Sequence, residues 1–128
     1  MNWVCVPFTN YLYERIDFKV NKVKIVVMVP SENTSEIRDT VCKAGAGIIG
    51  EYKFCSSCVK SLGTFIPGDN TNPYIWEKNK LEFVEEDRLE FTCDIKKAKY
   101  VISELRRVHP YEEPGIDIIP LIDEKDLL

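Results

Sequence analysis

The sequence predicts an α+β fold: one sheet of four antiparallel strands with two helices on one face. Three observations carry this reading. A β-branched run, Val23 to Val29, leads into a helical stripe. Strand-like alternation runs from Leu81 to Cys93, and a second helical stripe, Ala98 to Val108, leads into Ile116–Leu121. The order is β-α-β-β-α-β in two similar halves, the ferredoxin-like split βαβ sandwich.

Residues 1–21 form an N-terminal extension. Met1 to Phe8 is apolar and aromatic, and Tyr11 to Phe18 is too short a run to decide between helix and strand. Val23 to Val29 suits a strand buried on both faces, closed by Pro30. Asn33-x-x-Glu36 then offers a capping box, and Ile37, Val41, Ala44 and Ile48 follow at helical spacing. The spacing predicts a helix over about 34–45, stopped by Gly45 and Gly47, which tolerate the left-handed turn that ends helices.

Glu51 to Pro67 reads as extended with interruptions. Gly68-Asp-Asn70 and Asn72-Pro73 mark 67–80 as a loop or hairpin tip. Leu81, Phe83, Leu89, Phe91 and Cys93 alternate with polar residues, as a half-buried strand does. The polar run Glu85-Glu-Asp-Arg88 predicts a bulge or bend there, and Glu85-Glu-Asp87 reads as a solvated face. Asp94 is a good N-cap. Ala98, Val101, Ile102, Leu105 and Val108 then step by three and four. Pro110 must end that helix, since it lacks an N–H and restricts His109 as well. Ile116 to Leu121 makes the last strand, and 122–128 is a solvated acidic tail.

Bulk properties narrow the function. A chain of 128 residues buries roughly two-thirds of its unfolded surface as one domain. A net charge of −4 argues against nucleic acid, whose readers carry a basic face. Ile25 to Val29 is far too short to cross a bilayer. Five cysteines without a regular framework, and no evident secretory pattern, imply reduced thiols and a cytoplasmic protein.

Six motifs in order also carry a family resemblance: Tyr52-Lys-Phe-Cys55, Gly63-Thr-Phe-Ile-Pro67, Asn72-Pro-Tyr-Ile75, Lys80-Leu-Glu82, Val84-Glu-Glu86 and His109-Pro-Tyr-Glu-Glu-Pro114. Residues 22–121 resemble the inserted domain of YqfO-type proteins of the Ngg-interacting factor three family. The resemblance implies a PII/CutA-like ferredoxin-like fold that is usually trimeric. It also implies that a dinuclear metal centre belongs to the flanking halves of the longer relatives. Here about 20 and 7 residues flank the domain, and His109 is the only histidine. A two-metal site needs several convergent ligands, so that reaction is not expected. Trp76 stands where the family it resembles usually has glycine, which raises the expectation of an altered hairpin tip, because a glycine there can serve a positive φ.

The candidate site residues are His109, Tyr111, Glu112 and Glu113 in the proline-bracketed corner, and Tyr74 and Trp76 at the tip. His109 beside carboxylates and a helix C-terminus is expected to have its pKa favoured upward. It could act with the glutamates in acid–base or ion-binding chemistry, or simply cap the helix. Tyr74 and Trp76 could form a contact surface, as interface hot spots do, or fold back on their own hairpin. Cys55, Cys58 and His109 are the soft-metal candidates. However, residues three apart on a strand point to opposite faces, and structural zinc wants four ligands.

The expected function is a non-enzymatic PII/CutA-like interaction or ligand-sensing domain. It needs no cofactor and self-associates, as a trimer before a dimer, with a protein partner as a further contact. The alternatives are a zinc or copper binder, a metal-dependent enzyme using His109, Glu112 and Glu113, or a cap acting in trans on a dinuclear-metal protein.

Overall fold

The structure is a computed structural model and describes residues 18–127. Residues 1–17 lie outside it, and with them most of the N-terminal extension. The elements are β1 (Lys22–Pro30), α1 (Thr34–Lys43), β2 (Ser57–Phe65), β3 (Glu82–Asp94), α2 (Ile95–Val108) and β4 (Ile116–Leu121). The sheet order is β2-β3-β1-β4 with every pair antiparallel. This is the ferredoxin-like arrangement read from the sequence.

Alternation along the strands sorts the two faces. Val23, Ile25, Val27 and Val29 of β1 and Leu89, Phe91 and Cys93 of β3 point to one side. There they pack on Ile37 and Val41 of α1 and on Ala98, Val101 and Leu105 of α2. The other, open face carries Lys24, Val26 and Met28 beside Glu86, Arg88 and Glu90. Lys24 and Arg88 both pair with Glu90 there.

Both helices stop for local reasons. Gly45 sits at φ +116°, Gly45 N–H donates to Cys42 O, and Ala46 N–H donates to Val41 O. That pair of bonds is the Schellman ending, which satisfies carbonyls the helix leaves free. Asp94 caps α2, its side chain accepting from Lys96 N–H at 2.8 Å. His109 N–H closes the last turn onto Leu105 O at 3.0 Å, and Pro110 permits no further turn.

Six expectations change. The Asn33 capping box does not form: a 3-10 turn, Ser31–Asn33, precedes α1 and the Asn33 side chain makes no cap bond. Tertiary contact holds that end instead, because Thr34 Oγ1 donates to Asp87 Oδ2 at 2.7 Å. β3 has no bulge, since its register runs unbroken against both β1 and β2. Within it Glu86 and Asp87 are buried rather than solvated, whereas Leu81 and Phe83 at its start are exposed. The segment before β2 is a loop holding only the bridge Ile49↔Tyr52, and Ile48 lies outside α1 and exposed.

Candidate functional site

Three segments meet at one end of the open face: the start of β3, the loop between β2 and β3, and the proline-bracketed corner after α2. His109 sets the corner. It is 7% exposed, and its Nε2 lies 2.8 Å from Met28 O while Nδ1 lies 3.1 Å from Tyr111 N. A carbonyl only accepts and an amide N–H only donates, so Nε2 carries the proton and Nδ1 accepts. The ring is therefore neutral with both nitrogens engaged.

This corrects the expectation for its charge. Burial pushes the His109 pKa down, and this outweighs the bond to Met28 and the field of Glu86. Nor does the side chain cap its own helix; it ties the end of α2 to β1, 81 positions away.

Fixed in this way, the chain turns Tyr111 back over the sheet. Its ring lies 4.8 Å from the His109 ring, and its hydroxyl donates to Glu86 Oε2 at 2.7 Å. Burial, then the bond to Glu86, drives the phenol pKa far above its usual range. The neighbouring strand makes room for the carboxylate: a Cβ at Gly63 would come 2.6 Å from Glu86 Oε1. Glycine at 63 thus leaves the carboxylate free to take that placement, as a strand glycine does where another group approaches closely.

The loop closes the other side. Glu112 Oε1 accepts from Asn72 N–H at 2.9 Å, tying loop to corner. Trp76 packs edge-on to Phe65 at 4.5 Å and to Tyr111 at 5.3 Å, and Tyr74 lies 6.1 Å from Trp76. The Trp76 ring thus folds back on its own domain, while Tyr74 and Ile75 stay exposed. Trp76 is not among the positive-φ residues, so its backbone carries no left-handed strain; in this loop Asn79 takes that conformation, at φ 58°.

The result is a cavity of about 370 Å³ lined by Tyr74, Trp76, Tyr111, Glu112 and Glu113, with Glu86 and Met28 toward the sheet. Five of the six candidate contact residues meet there, and the sixth, His109, buttresses them. Sequence reasoning missed Glu86, since a run of three acids looks like a solvated surface. The glycine facing it on the adjacent strand was the available signal.

The soft-metal candidates are not brought together. Cys55 lies in the loop before β2, its N–H donating to Gly47 O at 2.8 Å. Cys58 sits exposed on β2, opposite Leu89, and His109 is committed to Met28 and Tyr111. Among the described residues no group of three or more His, Cys, Asp or Glu side chains is placed to hold a metal ion. Burial raises the Cys42 and Cys93 thiols, which keeps them protonated. Among the described residues no helix is long and apolar enough to cross a membrane.

A four-stranded sheet in this order, backed by two helices, defines a PII/CutA-like ferredoxin-type domain. Comparison with solved structures agrees. The periplasmic divalent cation tolerance protein CutA of Archaeoglobus fulgidus superposes with a TM-score of 0.59 at 20% identity, covering 78% of this chain and 83% of that one. A Bacillus cereus protein related to NIF3 superposes at 0.70 with 34% identity, over 84% of this chain and 27% of that one. In sequence, the GTP cyclohydrolase 1 type 2 homolog of Halalkalibacterium halodurans is 41% identical over 105 residues, 82% of this chain and 28% of its own length. No family model matches. Over this domain the chain is a relative of the YqfO-type proteins of the Ngg-interacting factor three family, and it spans little more than a quarter of their length.

Proposed function

We propose that the chain is a non-enzymatic domain that binds a small ligand and associates with copies of itself. One observation carries the reading: residues from three separate segments converge on a single cavity around a buried carboxylate, Glu86. Ligand sites are concave and mostly apolar, with a few fixed polar groups, and this cavity has that character. The one imidazole near it is spent on backbone groups, which favours binding over proton transfer.

Self-association follows from the sheet. Edge strands present unpaired backbone groups, and β2 is a nine-residue edge without proline that exposes Val59 and Leu62. The other edge, β4, contains Pro120, which has no N–H to give. Pairing through β2 is the favoured route, with a trimer ahead of a dimer by analogy with the fold.

Multi-angle light scattering at micromolar concentration tests the assembly, and only monomer would sink that half. Backbone amide spectra recorded with a fragment library test the site, with shifts expected at Trp76, Tyr111 and Glu112. Zinc or copper(I) retained by untagged protein, with a raised melting temperature, would favour a metal-binding function instead.

A further inference from the structure

We infer that the cavity takes an organic cation, a methylated or quaternary ammonium group on a short polar chain, an inference that rests on the ligand-binding reading above. Charge is the first argument. Glu86, Glu112 and Glu113 line the cavity, while no lysine, arginine or histidine does. None of the three glutamates has a salt-bridge partner among the described residues, although Lys24, Lys60 and Arg88 pair with other acids nearby on the sheet. A phosphate or carboxylate ligand would meet the like charge of three glutamates with no cationic side chain in the walls to offset it.

Glu86 supplies the second, independent argument. It is 7% exposed; Oε2 accepts from Tyr111, and Oε1 has no hydrogen-bond partner among the described residues. That second oxygen is not sealed in the interior, so it is open to a cationic or donor group entering the cavity.

The wall decides between an inorganic and an organic cation. Phe65, Tyr74, Trp76 and Tyr111 line one contiguous aromatic side of the cavity, neighbouring ring centroids lying 4.5–6.3 Å apart. A bare divalent ion wants six or more oxygens, and the described residues offer no such cluster. A methylated ammonium instead gains from ring faces within about 6 Å and loses little water. The volume, about 370 Å³, suits a small molecule rather than a peptide.

Choline tests the inference against its neutral carbon isostere, in which tert-butyl replaces trimethylammonium. Both are titrated into the full chain by calorimetry, with the Trp76 indole N–H followed by NMR. Choline should saturate and shift Trp76, with the isostere about tenfold weaker. Glu86→Gln and, separately, the surface change Glu112→Gln should each weaken choline about three- to tenfold. Both should leave the isostere unaffected, and unchanged melting would exclude a folding defect. Equal affinity for the two probes overturns the cation assignment but leaves a ligand site, as does a neutral fragment shifting Trp76 where choline does not. No probe or fragment moving Trp76 or Tyr111 overturns both readings.

Discussion

The imidazole of His109 donates from Nε2 to the carbonyl oxygen of Met28 at 2.8 Å, fastening the end of α2 to the central strand. Because Nδ1 accepts from Tyr111 N–H, one side chain fixes both the corner and the tyrosine that lines the cavity. His109→Ala orphans a carbonyl and an amide at a buried site. The expected loss is about 1–3 kcal/mol, read by urea unfolding, together with a weakened Tyr111–Glu86 contact. A variant as stable as the parent would remove this role.

The same residue sets a pH dependence. Its pKa in the folded protein lies below the ordinary 6.5 because burial opposes the charge, so on acidification the unfolded chain takes up the proton first. Its contribution is full above about 6.5 and is lost as pH falls from there to the depressed folded value. Unfolding free energy measured across this range should decline toward acid in the parent, and the slope should flatten in His109→Ala.

A second acid window belongs to Asp87, which accepts from Thr34 and Ser31 and faces Lys60. The bond from Thr34, then that from Ser31, holds its pKa below the ordinary 3.8 against the cost of burial. Its contribution is present above 3.8 and is lost as pH falls below that toward the folded value. Asp87→Ala should cost about 1–3 kcal/mol at neutral pH, while Lys60→Ala, an exposed partner, should cost less than about 1 kcal/mol. Equal losses from the two would contradict the assignment.

Gly63→Ala probes the cavity from outside its lining, through Glu86. The added methyl meets Glu86 Oε1 at 2.6 Å, so the carboxylate must shift, and its bond from the Tyr111 hydroxyl is the contact at stake. Because the clash falls on the end of a flexible side chain, the stability cost should stay below about 1 kcal/mol. The Tyr111 phenol, now well above its ordinary value of 10.0, should titrate closer to it in NMR. An unmoved Tyr111 titration would show that Glu86 has another position available.

Val59→Lys places a charge on the exposed edge of β2. Lysine on edge strands opposes strand pairing between chains, so the proposed assembly should give way to monomer in light scattering. Surface substitutions leave monomer stability within about 0.5 kcal/mol. Unchanged assembly would move the interface away from β2.

The fold was legible because its signals are local and periodic. Val23 to Val29, the Ala98–Val108 stripe and the punctuation at Gly45, Asp94 and Pro110 each act within a few residues, and the structure follows them. Asn33 shows where such reasoning fails: its capping pattern was sound, yet Thr34 found a better partner in Asp87, 53 positions away. Glu86 failed for a similar reason. Read along the chain it belongs to an acidic run; read across the sheet it has Gly63 beneath it and Tyr111 above it.

The sequence alone determined the order of elements, the two helix stops, the family resemblance and most of the side chains that matter, because spacing and backbone restriction are written in one dimension. Tertiary structure decided which of those side chains meet. It made His109 a neutral strut rather than a charged group, turned Trp76 inward, and buried Glu86 beside an aromatic wall. Protonation and burial depend on neighbours distant in the chain, and only the folded sheet supplies them.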